Sequence, residues 1–190
     1  MFPFYNIILA SGSPRRKQLL KQIGVNFTTE ISDVDETIDL DLSPERVAKY
    51  FALEKAKKVS LNFPKKLVIG ADTLVEYDGK ILGKPKDEKE SFKMLRMLSG
   101  KTHKVITGVS LQYKDEKVNK TFHETTKVTF NDLSDKYILH YIKTYSPFDK
   151  AGSYGIQDWF AVCVRKIDGC FYNVMGLPLS KFWEEINKLR

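Results

Sequence analysis

The residues of this chain best suited to chemistry are Arg15, Arg16, Lys55 and Lys84, the carboxylates Glu36 and Asp72, and the amide of Gln157. The arginines sit in the stretch Ile7-Ile8-Leu9-Ala10-Ser11-Gly12-Ser13-Pro14-Arg15-Arg16. There an apolar strand ends in a small-residue turn and a helix begins at once. Ser13 is suited to cap that helix and Pro14 to occupy its first position. Free N–H groups and the dipole make a helix N-terminus a weak anion site. Two arginines at this end oppose the dipole, and a bound polyanion such as phosphate resolves the conflict. The ordinary alternative is a pair of solvated surface charges.

The other residues extend that reading. Ala48, Phe51, Ala52, Ala56 and Val59 fall at helical spacing, and Lys55 points with them. A lysine on a packing face either snorkels outward, the commoner case, or faces an anion. Asp72 follows the apolar run Leu67-Val68-Ile69-Gly70-Ala71. A carboxylate in a buried strand is expensive unless it is paired, hydrogen-bonded or bound to metal. Small neighbours at Gly70 and Ala71 leave room for another group to approach. Such a carboxylate can hold Mg²⁺ or take a proton from water. Gly83-Lys84-Pro85 holds a lysine in a restrained loop, and the amide of Gln157 in Gly155-Ile156-Gln157 could read a base edge or hold a water. Glu36 belongs to the acidic loop Asp33-Val34-Asp35-Glu36. Each of these alone is most often an ordinary loop residue. Together they supply cations for phosphates and carboxylates for a metal, without a Walker P-loop or dinucleotide fingerprint.

The elements that must position them can be read from periodicity and punctuation. A buried strand is expected over 4–10, a helix over 14–23 closed by Gly24, and a strand over 25–32. Ser43-Pro44 opens a helix reaching Ser60. A strand over 67–77 turns back through Asp78-Gly79, and a helix over 87–98 stops at Gly100. Alternation of Val105, Thr107, Val109, Leu111 and Tyr113 predicts a strand with one packed face, paired with an antiparallel partner over 118–130. Tyr137, Ile138, Tyr141, Ile142 and Tyr145 form a helical stripe. A hairpin is expected over 160–174 around Asp168-Gly169, and a last helix from Leu179. Helices and strands alternate without a strict βαβ rhythm, which predicts a mixed α/β sheet with flanking helices.

With 190 residues, 42% apolar and 29% charged, the chain is expected to fold as one globular domain over 1–190 rather than remain disordered. No apolar run is long enough for a membrane span, and Met1-Phe2-Pro3-Phe4-Tyr5 has no basic n-region or long apolar h-region. The cytoplasm is the expectation. A formal charge of +7 points to anionic partners without choosing among nucleotide, nucleic acid and membrane surface. Cys163 and Cys170 read as small core residues. His103, His123 and His140 have no paired ligand spacing, which argues against a zinc site.

The ordered set Ser11-Gly12-Ser13-Pro14-Arg15-Arg16, Glu36, Glu54-Lys55-Ala56, Gly70-Ala71-Asp72-Thr73, Gly83-Lys84-Pro85, Ala151-Gly152-Ser153-Tyr154-Gly155-Ile156-Gln157 and Gly176-Leu177-Pro178-Leu179 resembles the Maf family of nucleoside triphosphate pyrophosphatases. The blocks span almost the whole chain. The resemblance implies an elongated α/β fold with two lobes around a cleft, related to inosine triphosphate pyrophosphatases. It implies hydrolysis between the α- and β-phosphates, giving a monophosphate and pyrophosphate, with a divalent cation, Mg²⁺ or Mn²⁺. Asp72 would accept the proton, and Glu36 with Asp72 would hold the metal. Arg15, Arg16, Lys55 and Lys84 would hold phosphates, with Ser13 at the same turn.

Arg15, Thr73 and Gln157 resemble the dTTP/UTP branch, whereas the 7-methyl-GTP branch carries Trp, Gln and Glu at those places. Thr73 and Gln157 offer donors and acceptors that suit a pyrimidine imide edge. The alternatives are a sibling specificity (7-methyl-GTP or inosine type), a nucleic-acid-binding protein without catalysis, and action in cell division through a partner. Family members are often homodimers, so a homodimer is a further expectation. Neither nucleic acid nor membrane is expected as a partner.

Overall fold

The computed structural model describes residues 6–36 and 41–189. The strands are β1 (Ile7–Leu9), β2 (Thr28–Thr29), β3 (Leu67–Tyr77), β4 (Lys80–Leu82), β5 (Thr102–Tyr113), β6 (Val118–Phe130) and β7 (Val164–Asp168). The helices are α1 (Pro14–Gln22), α2 (Pro44–Ser60), α3 (Glu88–Leu98), α4 (Asp135–Tyr145), α5 (Phe171–Met175) and α6 (Leu179–Asn187). The sheet runs β2-β1-β3-β5-β6-β7, with β4 on β3. Because β1 pairs parallel with β2 and β3 while β3–β4 and β6–β7 are antiparallel, the sheet is mixed, as the irregular alternation of elements predicts. No helix among the described residues is long and apolar enough to cross a membrane.

The chain divides into two compact units. The first comprises 1–72, 107–124 and 176–190, and the second 73–106 and 125–175. Strands β3, β5 and β6 each contribute residues to both.

In the first unit, Ile8, Ala10, Val68, Ala56 and Val59 form a core cluster with Phe63 against it. Helix α2 begins as its sequence predicts, with Pro44 in the first turn and the Ser43 hydroxyl accepting from the Arg46 N–H at 3.4 Å. Its seat consists of two glycines on neighbouring strands. A Cβ at Gly70 would lie 2.2 Å from the Ala52 carbonyl oxygen, and one at Gly108 would lie 2.2 Å from that of Ala48. Side chains there would hold the helix off the sheet.

In the second unit, Phe130, Tyr154, Phe160, Tyr141 and His103 form an aromatic core. His103 is buried, its Nε2 lies 2.8 Å from the Tyr154 hydroxyl, and its Nδ1 has no hydrogen-bond partner. Burial lowers its pKa from 6.5 to about 3, so the ring is neutral. On α4 only Ile138, Tyr141 and Ile142 of the expected stripe are buried, while Tyr137 and Tyr145 reach solvent.

Several expectations need correction. Ser13 stands at the cap position of α1, but its side chain makes no capping hydrogen bond. The strand expected over 25–32 shrinks to Thr28–Thr29. Residues 4–5 of the first expected strand, like the rest of the 1–5 segment, lie outside the described residues. Strand β5 is packed on both faces over most of its length, because Ile106 and Ser110 are buried along with the alternating set.

The hairpin expected over 160–174 is a 3-10 helix (Trp159–Cys163), then β7, then α5. The partner of β7 is β6, remote in sequence. Gly169, with φ at +126°, turns the chain against Thr126. The Thr126 hydroxyl accepts from the Cys170 N–H at 3.0 Å and donates to the Cys170 carbonyl at 3.1 Å. Both cysteines are free thiols.

Candidate active site

The first group of site residues is assembled by the close seat of α2 on β3. Residues two apart on a strand share a face, so Asp72 projects from the side of β3 on which Gly70 meets α2. Lys55 lies next to Ala56, whose Cβ would be 2.8 Å from a Cβ at Gly70. The Lys55 ammonium is therefore delivered onto Asp72. Its Nζ lies 2.7 Å from Asp72 Oδ1 and 2.7 Å from Glu36 Oε1.

The Lys55 side chain is 9% exposed, that of Asp72 14% and that of Glu36 44%, so the ammonium is desolvated and held by two carboxylates. A cation this deep without partners would cost several kcal/mol. Lys55 therefore does not snorkel outward; its partners are the chain's own Asp72 and Glu36 carboxylates. One turn further along α2, the Lys58 ammonium donates to the Asp33 carbonyl, so two lysines of one helix grip the acidic loop that carries Glu36.

Arg16 joins this group from the first turn of α1. Its Nε donates to the Gly176 carbonyl at 2.9 Å and its Nη1 to the Ser11 hydroxyl at 3.1 Å. The same hydroxyl accepts from the Ser13 N–H at 3.2 Å. Ser11 thus ties the turn before α1 to the Arg16 guanidinium, although it accepts from no backbone N–H of the helix and is not its cap. Burial lowers the Arg16 pKa, the Asp72 and Glu36 carboxylates work against that fall, and the Arg15 charge adds to it. Arg16 is accordingly a braced cation within the field of both carboxylates, with Arg15 near enough to repel it.

Thr73, Lys84 and Gln157 belong to the second unit. Thr73 is half-buried and, by strand alternation, faces opposite to Asp72. Lys84 is exposed in the loop after β4. That loop is tied to the Gly152–Gln157 segment by the Gly152 N–H, which donates to the Gly83 carbonyl at 3.0 Å. A buried contact of 2.5 Å between the Ser91 and Ser153 hydroxyls fixes the same segment to α3.

Gln157 is exposed in a turn closed by the Asp158 N–H donating to the Gly155 carbonyl at 3.4 Å. The turn hangs on Tyr141. Its hydroxyl accepts from the Gly155 N–H at 2.9 Å and donates to Asp158 Oδ2 at 3.0 Å. The sequence showed Tyr141 only as part of an apolar stripe. The signal for more lay in its type, since a buried tyrosine hydroxyl needs a partner.

Chemically, the first group is a carboxylate pair bridged by an ammonium with a braced guanidinium in its field. Glu36 and Asp72 are the residues of this donor set that could hold a divalent metal. Two carboxylates already converge on a single cation, Lys55 Nζ, and no group of three or more His, Cys, Asp or Glu suited to a metal occurs among the described residues. Hard oxygen ligands this few suit Mg²⁺ or a similar ion that completes its shell with water and phosphate, and do not suit a closed zinc site.

Comparison with known proteins agrees with these blocks. The dTTP/UTP pyrophosphatase of Bacillus cytotoxicus is 49% identical over 181 residues, covering 95% of this chain and 94% of that one. The dTTP/UTP pyrophosphatase of Bacillus pumilus is 50% identical over 175 residues, covering 92% of each. Among solved structures, the Ham1 protein of Staphylococcus aureus is a partial likeness, with 19% identity, a TM-score of 0.48, and coverage of 67% of this chain and 73% of that one. The family described as Maf-like protein matches residues 6–189, and with that match and the near-half identity to its members, the chain belongs to the Maf family.

Proposed function

We propose that this chain is a nucleoside triphosphate pyrophosphatase that hydrolyses dTTP and UTP to the monophosphate and pyrophosphate. The observation that carries the reaction class is the bridged pair Glu36–Lys55–Asp72 with Arg16 in its field. The relatives of near-half identity carry the substrate choice.

In this reading Asp72 takes the proton of the attacking water as the water oxygen bonds to the α-phosphorus and the α–β bridging oxygen leaves with pyrophosphate. Lys55 fixes Asp72 Oδ1 in place and offers its ammonium to phosphate oxygens as the triphosphate arrives. Arg16 holds its charge still through Gly176 and Ser11, so stabilising the growing negative charge needs little reorganisation. Arg15 and Lys84 add cations for the phosphates. Glu36 and Asp72 would hold Mg²⁺ or Mn²⁺, which when bound neutralises phosphate charge and polarises phosphoryl oxygens. Gln157, with Thr73, meets the pyrimidine imide edge, and Arg15 bears on the same choice. The cytoplasm, where these nucleotides are made and used, is the compartment that fits.

The test is a panel of nucleoside triphosphates with Mg²⁺ or Mn²⁺, scored for pyrophosphate against orthophosphate. Pyrophosphate from dTTP and UTP ahead of the other nucleotides is the expected result. Release of orthophosphate overturns the reaction class, and preference for 7-methyl-GTP or an inosine nucleotide overturns the substrate.

A further inference from the structure

Both ends of the turn Gly155-Ile156-Gln157-Asp158 are tied to one side-chain oxygen. The Tyr141 hydroxyl receives the N–H of the first residue of the turn and donates to the side chain of the last, as given above. Asp158 in turn uses Oδ1 to accept from the Phe160 N–H at 3.0 Å, capping the 3-10 helix that follows. Tyr141 is fully buried, and its ring lies against Phe160 (centroids 4.8 Å apart) and Tyr145 (5.3 Å). The hydroxyl therefore cannot follow the turn if the turn moves. Space within the turn is equally tight. A Cβ at Gly155 would come 2.5 Å from Asp158 Oδ2 and 3.1 Å from Gln157 Nε2, so the Gln157 amide lies back over a backbone stripped of side chain. Burial, and next the Asp158 charge, raise the Tyr141 pKa, which keeps the hydroxyl proton available for donation.

We propose that Tyr141 is a positioning residue for base selection: by pinning both ends of this turn it sets where the Gln157 amide is presented. The inference rests on the reading that Gln157 meets the base. An amide reads a base edge only when its donor and acceptor are held in register, because a polar group left unpaired in the wrong complex is what rejects the wrong base. Loosening the turn lets the amide adapt to either pattern.

The experiment compares kcat and KM for dTTP, UTP and dCTP in the wild type and in Tyr141→Phe, Asp158→Asn and Gln157→Ala. Cytosine presents an amino donor and a ring acceptor where thymine and uracil present a carbonyl and an N–H. Loss of the Tyr141 hydroxyl is expected to lower the preference for dTTP over dCTP by about three- to tenfold, the worth of one hydrogen bond. The change falls in KM rather than kcat, with pyrophosphate still the product.

A folded Tyr141→Phe enzyme whose preference is unchanged, beside a Gln157→Ala enzyme that has lost it, overturns the positioning role and leaves the base contact standing. An unchanged preference in Gln157→Ala removes the base contact and the proposal with it. If Tyr141→Phe does not fold, Asp158→Asn decides. It keeps the Tyr141–Gly155 bond and, with its one remaining oxygen on the Phe160 N–H, loses the acceptor for the Tyr141 hydroxyl; a smaller loss of preference supports the role while none overturns it.

Discussion

The cluster around Lys55 and the turn around Gln157 hold polar groups in place by opposite means. In the first, the groups are charged: one buried ammonium is shared by two carboxylates, and a braced guanidinium stands in their field. In the second, most of the ties are made by neutral groups: a protonated tyrosine hydroxyl, backbone N–H groups and, behind them, a histidine that burial keeps uncharged. Charge is the right tool where charge develops during a reaction, because fixed ions need not reorganise. Neutral donors and acceptors suit discrimination between bases of equal charge, where only the hydrogen-bond pattern differs. On the proposed function, rate would fall to the first region and choice to the second.

The comparison breaks first at Asp72. Asp72→Asn is nearly the same size and is expected to fold, yet to lose about 10²-fold or more in kcat for dTTP. Steady-state rates beside a thermal melt check this, and near-normal hydrolysis by the folded variant would remove Asp72 from the chemistry. Placing a charge in the neutral region should do the reverse. Gln157→Glu is expected to shift the preference among nucleotides by roughly tenfold while hydrolysis continues. A uniform fall in kcat for every nucleotide, with no change in preference, would put Gln157 on the rate side.

The smallest effect tests the neutrality of the aromatic core of the second unit. His103 has a native-state pKa of about 3 against an ordinary 6.5. Between those values the unfolded chain binds a proton that the native chain refuses, so stability rises with pH through this window and falls on acidification. The slope is at most about 1.4 kcal/mol per pH unit. Urea midpoints between pH 7 and 5 measure it, and His103→Gln should flatten the curve. An unflattened curve would mean that other groups carry the slope.

The sequence made the first region more legible than the second, and the reason is physical. Lys55 and Asp72 contradict their surroundings, an ammonium on an apolar helix face and a carboxylate in an apolar strand, and such contradictions show without coordinates. Caps and turns with strong local chemistry were also readable, as at Ser43-Pro44 and Asp78-Gly79, where φ is positive at both turn residues. The clamp on Gln157 was not. Tyr141 satisfies the helical stripe and breaks no rule, and its partners Gly155 and Asp158 come from a loop beyond the end of its helix. The 160–174 segment misled for a related reason. Asp168-Gly169 is a strong local hairpin signal, but the partners of β7 and of Cys170 are on β6, a distance that no local dipeptide reports.

Gly70 and Gly108 carry a consequence for how this enzyme can vary. Helix α2 rests on positions where atoms are missing, and one turn of helix separates the two carbonyls that fill those gaps. Enlarging interior side chains is an ordinary route by which proteins gain heat resistance. At these two strand positions the route is closed, since any added carbon would raise the helix and carry the Lys55 ammonium away from Asp72. Descendants of this chain can harden elsewhere, but the floor beneath α2 must stay bare for the carboxylate and the ammonium to meet.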